Sequence, residues 1–168
     1  MPTGDLHSIQ RSDSGESQDA SGLQTLLTLV IGMGSEEPHP LRLSLSLKKE
    51  VLAVCRLSAD SPIPAWASIR SGFTTISRTS DELSIVCPEK VVPSGIRKEG
   101  GWRIFKVDGP LDFALTGILA SIAEPLAKAR ISIFAISTYD TDYVMVKNEK
   151  VDAASKVLRS VGHKMRID

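Results

Sequence analysis

Three observations predict an α+β fold built from two ferredoxin-like (βαββαβ) units side by side. First, residues 102–167 run through strand, helix, strand, strand, helix and strand patterns in that order. Second, a strand–turn–strand pattern at residues 131–146 recurs more weakly 60 residues upstream, with Phe73 falling on Ile133, Ile76 on Ile136, Ser77 on Ser137 and Val86 on Val146. Such a recurrence inside a short chain points to two copies of one supersecondary unit. Third, residues 41–47 alternate strictly between Leu and polar side chains, the mark of a strand with one buried face.

The elements follow in chain order. Residues 1–22 are rich in Ser, Asp, Gly and Gln. They bury too little apolar surface to offset ordering entropy, so a disordered tail is expected. Residues 26–31 read as a strand and 32–40, punctuated by glycine and proline, as a loop. Strands are expected at 41–47 and 51–57, then a short helix over 61–70 capped by Ser61 with Pro62 at its first position. Residues 73–78 and 83–87 form a hairpin around 79–82, and 88–101 joins the halves, any second helix there being reduced to a turn near 89–93.

In the second half a strand at 102–107 is broken by Asp108-Gly109-Pro110. A helix then places Leu115, Ile118, Leu119, Ile122 and Leu126 on one face. Pro125 is expected to kink that helix or mark its last turn. Strands at 131–138 and 143–147 lead to a helix capped by Asn148, carrying Val151, Ala154, Leu158 and Val161 and stopped at Gly162, and 163–167 supplies a last strand. The division that results is a tail over 1–22, a first unit with an N-terminal strand extension over 23–95 and a second unit over 96–168.

Composition narrows the function. The 168 residues carry 20 basic and 20 acidic side chains, so no basic excess offers a docking face to nucleic acid. The longest apolar run, 26–31, is strand-sized, which disfavours a membrane span. The N-terminus lacks the basic-then-apolar order of a secretory signal, and a cytoplasmic protein is expected. Cys55 and Cys87 lie in apolar strand-like runs without a local histidine to activate them, so they read as small buried hydrophobes. Trp66 and Trp102 read as buried anchors rather than as the frame of a pocket. His7, His39 and His163 are scattered, no phosphate-cradling glycine loop or metal cluster is present, and no enzymatic activity and no cofactor are expected.

The segments Ala53-Val-Cys-Arg-Leu57, Ile63-Pro-Ala-Trp66, 76–88, 102–113, Leu115-Thr-Gly-Ile-Leu119, Pro125-Leu-Ala127 and the 131–146 hairpin resemble tandem ACT-domain proteins over residues 41–165. Small two-ACT proteins, the repeats of the CASTOR cytosolic arginine sensor and, more distantly, the regulatory half of aspartate kinases share this pattern. The resemblance implies two ACT units whose antiparallel sheets lie edge to edge with helices on one face. It also implies allosteric, amino-acid-binding regulation through a partner or a homodimer.

Candidate ligand contacts fall in two groups. One is the bend Asp108, Gly109, Asp112, Phe113, Thr116 and Gly117, where unpaired amides at a helix start suit a carboxylate. The resemblance adds weight, because the family's ligand loop lies between first strand and first helix. The other is the hairpin Ser137, Thr138, Asp140 and Asp142, whose carboxylates suit an ammonium or guanidinium. Asp142 is preferred because its Thr-Asp-aromatic step resembles the sensor's hairpin. The plain alternatives are that Asp-Gly-Pro is an ordinary turn, Asp112 a helix cap, Gly117 a packing glycine, and the hairpin acids turn formers.

Overall fold

A computed structural model describes residues 41–68 and 70–168. The tail expected over 1–22 and the strand and loop expected over 26–40 lie outside the described residues. Among the described residues eight strands form one sheet: β1 (Ser44–Leu47), β2 (Leu52–Leu57), β3 (Thr75–Arg78), β4 (Leu83–Pro88), β5 (Lys98–Val107), β6 (Phe134–Ser137), β7 (Asp142–Lys147) and β8 (Lys164–Ile167). Two α-helices, α1 (Ile118–Lys128) and α2 (Val151–Ser160), belong to the second half.

The second half therefore has the predicted order of strand, helix, strand, strand, helix, strand. The first half contains single 3-10 turns, Ala65–Ala67 and Glu89–Val91, where helices would stand. The short helix expected over 61–70 is thus only one turn, preceded by Pro64 and lacking a side-chain cap, so Ser61 does not cap it.

The ten-residue β5 unites the two halves. Its N-terminal part pairs with β2 (Leu52 opposite Trp102, Cys55 opposite Lys98), and its C-terminal part pairs with β7 on the other edge (Trp102 opposite Lys147, Lys106 opposite Tyr143). The first half thus has strand order β3-β4-β2-β5 and the second β6-β7-β5, as the ferredoxin-like plan requires. The strand read from the 41–47 alternation was expected in the first unit. Instead β1 lies between β5 and β8, antiparallel to the former and parallel to the latter. Its alternation still does what the pattern requires, burying Leu43, Leu45 and Leu47 against the helices.

A hairpin and turn of matching lengths recur in the two halves, in a register that differs by one from the gapless offset of 60. The hairpin Thr75–Arg78/Leu83–Pro88 corresponds to Phe134–Ser137/Asp142–Lys147, and the turn Glu89–Val91 to Asn148–Lys150. Val86 then matches Met145, both buried on the face opposite α1 and α2, rather than Val146, which faces those helices. A one-residue slip inverts the facing of every side chain in a strand.

Helices α1 and α2 cover one face of the sheet. Ile118, Ile122, Leu126, Ala154 and Leu158 meet Phe105, Val107, Val144 and Val146 in the largest core. The alternate residues Trp102, Ile104 and Met145 join Leu52 and Val86 in a second cluster on the opposite face. A third, holding Cys55 and Cys87, lies under the first half's 3-10 turns. Both cysteines are fully buried, and burial pushes the Cys87 thiol up to about 11, with Cys55 adding to the shift. Thiols in that state are not nucleophiles at neutral pH.

Helix ends differ from expectation in two places. Asn148 lies in a 3-10 turn, where its Oδ1 accepts a hydrogen bond from Arg103, and α2 begins beyond it. Leu115 is half exposed, because α1 begins only at Ile118. Pro125 sits inside α1, and α2 ends before Gly162 as predicted.

The joint between the halves is held electrostatically. Glu89 accepts the Gly101 N–H at 2.8 Å and pairs with Lys98 at 3.2 Å. The Gly101 hydrogen bond first, and then Lys98, hold its carboxyl below the usual glutamate range. A depressed folded-state value contributes stability that is present above the unfolded value and is lost as the pH falls through the folded one. Acid titration of unfolding stability should therefore show a drop below about pH 4.5 that is smaller in Glu89→Gln. Identical acid profiles for the two proteins would remove Glu89 from that role.

Candidate functional site

The bend after β5 and the tip of the β6–β7 hairpin are tied together by backbone. Leu111 N–H donates to the Asp140 carbonyl at 2.8 Å, and the Thr141 hydroxyl donates to the Val107 carbonyl at 2.5 Å. The hairpin closes on itself, with Thr138 N–H and hydroxyl both donating to the Thr141 carbonyl at 2.9 and 2.8 Å. Gly109 is required by this approach rather than by a positive φ: a Cβ there would stand 2.8 Å from the Asp140 carbonyl oxygen. Gly109→Val should consequently force bend and tip apart, lowering the melting temperature and weakening any ligand bound between them. A variant that melts and binds like the native chain would show that the contact does not hold the site.

Beyond the bend, the Asp112 carboxylate accepts the Ala114 N–H at 2.9 Å, forming a local turn. Asp112 is not the helix cap. Gly117 occupies that position, with φ of +81°, a left-handed conformation that costs glycine little. It provides no side-chain cap, which leaves the first-turn amides of α1 open to an incoming anionic group.

Between bend and hairpin lies a cavity of about 210 Å³. Asp112, Phe113, Ser137, Thr138 and Asp142, all expected at a site, line it. Leu111, Leu115, Ile118, Tyr139 and Thr141 line it too and were missed. Leu115 and Ile118 had been assigned to a helix face, and the tertiary signal in Thr141, a polar residue buried in a turn, is invisible in sequence. Tyr139, an aromatic at a hairpin tip, was a signal that could have been followed. Its ring packs edge-on against Phe113 with centroids 5.1 Å apart, although both side chains are largely exposed.

The remaining expected residues are placed differently. Gly109, Thr116, Gly117 and Asp140 do not line the cavity, although each lies within two residues of one that does. Asp108 is directed elsewhere: it accepts the Ser46 hydroxyl at 2.7 Å and lies 3.5 Å from Arg166, which links β5 to β1 and β8. The charged residues among the described lining are Asp112 and Asp142, so the cavity complements a cation beside the open amides of α1. Among the described residues no cluster of His, Cys, Asp and Glu could hold a metal ion, and no helix is long and apolar enough to cross a membrane.

Comparison with known proteins agrees with this architecture. Residues 97–160 match the ACT domain family, and residues 50–95 match a separate N-terminal domain family. The human cytosolic arginine sensor for mTORC1 subunit 1 is 41% identical over 59 residues, which covers 34% of this chain and 18% of the sensor. The match thus spans less than a fifth of these curated relatives. An Agrobacterium tumefaciens protein solved by structural genomics is 38% identical, covering 76% of this chain and 95% of its own, with a TM-score of 0.72. The regulatory subunit of aspartate kinase from Thermus thermophilus has a TM-score of 0.51 over 70% of this chain and 96% of its own. At 12% identity that likeness speaks to the fold alone. Fold, family match and relatives agree: the chain is an ACT-domain protein, similar to the cytosolic arginine sensor and to the regulatory region of aspartate kinases.

Proposed function

We propose that the chain is a non-enzymatic regulatory module of two ACT units, spanning residues 23–95 and 96–168, that binds an amino acid between the Asp108–Gly117 bend and the β6–β7 hairpin. The observation that carries the reading is that two segments distant in sequence, one suited to a carboxylate and one bearing carboxylates, meet around a single cavity. Its size, about 210 Å³, lies below the roughly 300–1,000 Å³ of drug-sized pockets and suits one amino acid. In this reading the α1 amides take the ligand carboxylate, Asp142 takes an ammonium or guanidinium, and Phe113 with Tyr139 covers the side chain. The curated relative's name, an arginine sensor, supports a cationic ligand here, and its description as cytosolic supports a cytoplasmic setting.

Occupancy would regulate only through a difference in affinity between two states of the module, for example two oligomers or two partner-binding surfaces. A thermal-melting screen across the standard amino acids tests binding. A ligand at about 100 times its dissociation constant stabilises a fold by about 2.7 kcal/mol. A melt that no amino acid shifts removes the proposal. For a ligand that does bind, Asp142→Asn should weaken affinity by roughly 10- to 100-fold, the worth of one charge-assisted contact at ~1.5–3 kcal/mol, with the unliganded melt little changed. Equal loss of binding and of melting temperature would make Asp142 a structural turn residue.

A second reading rests on the same residues. Phe113 and Tyr139 are 75% and 81% exposed and Leu115 is 50% exposed, an apolar rim that also suits a protein–protein contact without any small ligand. The melting screen separates the two, since a ligand-free interaction module is indifferent to every amino acid.

A further inference from the structure

The face that the described helices leave uncovered holds a second cavity, of about 450 Å³, that the amino-acid reading does not use. Strand alternation puts it there. Asp142 faces the first cavity, while its neighbour Tyr143 in β7 faces the second. Opposite Tyr143 on β5 stands Lys106, and Ile104, two residues back on the same face, is fully buried at the base. Phe73 packs on Tyr143 with ring centroids 4.7 Å apart, giving the cavity an aromatic wall. That wall is fixed from behind, because Glu50 accepts the Phe73 N–H at 3.0 Å.

The charges around this cavity do not balance. Lys48, Lys49 and Lys106 line it together with Glu50 and Asp168. Asp168 is already paired with Lys48 and with Arg166, while Glu50 accepts the Phe73 amide and keeps its charge, so the lining carries three cations against two anions. Among the described residues neither Lys49 nor Lys106 has an acidic partner, and Lys106 is half buried beside an apolar floor. An exposed and a half-buried ammonium group, Lys49 and Lys106, beside the half-buried rings of Phe73 and Tyr143 complement a ligand with an anionic end and an apolar body.

We infer that this cavity is a second ligand site, for a small organic anion: a planar apolar ring bearing a phosphate or carboxylate. The ring rests on Phe73 and Tyr143, and the anionic group lies between Lys49 and Lys106. The site is independent of the amino-acid proposal, because it shares none of that cavity's described lining.

The test titrates the full chain with phenyl phosphate, benzoate and the uncharged benzyl alcohol, following amide chemical shifts and heats of binding. At least one of the two anions should bind, with shifts at Ile104, Lys106 and Tyr143, more tightly than benzyl alcohol by at least ~10-fold and more weakly as salt is raised. Lys49→Gln and Lys106→Gln should each weaken that binding by roughly 10-fold while the melt stays unchanged, and Asp142→Asn, on the opposite face, should leave it intact. The inference is overturned if neither anion binds or if benzyl alcohol binds equally well. It is also overturned if the double lysine variant retains full affinity, or if Asp142→Asn abolishes binding, which would put the anion in the first cavity.

Discussion

Replacing Phe105 by alanine should cost about 3–5 kcal/mol of stability, the range for emptying a phenylalanine site in a packed core. Phe105 is fully buried where β5 crosses under both helices, paired with Leu47 on one side and Val144 on the other. The cavity left behind would be walled by strands on both flanks, which relax little. A domain of this size has only about 5–15 kcal/mol in total, so the loss should move the urea midpoint far toward zero. Phe105→Leu should recover much of it, because the volume change is smaller. An alanine variant within about 1 kcal/mol of the native chain would mean that the two layers do not share the core described.

His163→Ala should cost about 2–5 kcal/mol for a different reason. Its Nδ1 accepts the Leu43 N–H at 3.1 Å, so the proton resides on Nε2, which donates to the Ser121 carbonyl at 3.0 Å. That carbonyl needs an outside donor. Four residues on in α1 stands Pro125, which has no N–H to complete the helical ladder. The imidazole is 4% exposed, and removing it leaves a buried donor and a half-buried acceptor together. The mechanism predicts a specific coupling. In a Pro125→Ala background, where residue 125 regains an N–H for Ser121, the His163→Ala penalty should be smaller by about 1 kcal/mol or more. Chemical denaturation of the four proteins in this cycle measures it, and strictly additive effects would separate His163 from the proline.

How much of this was legible in the sequence follows from the range of the interactions involved. Alternation and helical spacing depend on neighbours within a few residues, so the order from β5 to β8, the buried cysteines and the turn at 89–91 could be read directly. Leu115 was misplaced because its spacing fits a helical face, whereas Gly117, with its left-handed φ, starts the helix later. His163 looked like a stray histidine near the terminus. Its role needs Leu43, 120 residues away, and a carbonyl freed by a proline on another element. The site divides in the same way. Asp112 was proposed from local chemistry and Asp142 with the help of the resemblance, but the aspartate in Asp-Gly-Pro could not be known to turn toward Ser46 and Arg166 until β1 was placed between β5 and β8.

The amino-acid sequence by itself determined the α+β class, the recurring hairpin and the buried face of the 41–47 strand, because burial patterns with periods of 2 and 3.6 are written along parts of the chain. Only the tertiary structure decided that β1 joins the second half's sheet, that one long strand serves both halves, and that bend and hairpin enclose a cavity. Strand pairing between distant segments is selected by the backbone hydrogen bonds and buried area of the whole sheet, and no short window of residues contains those terms.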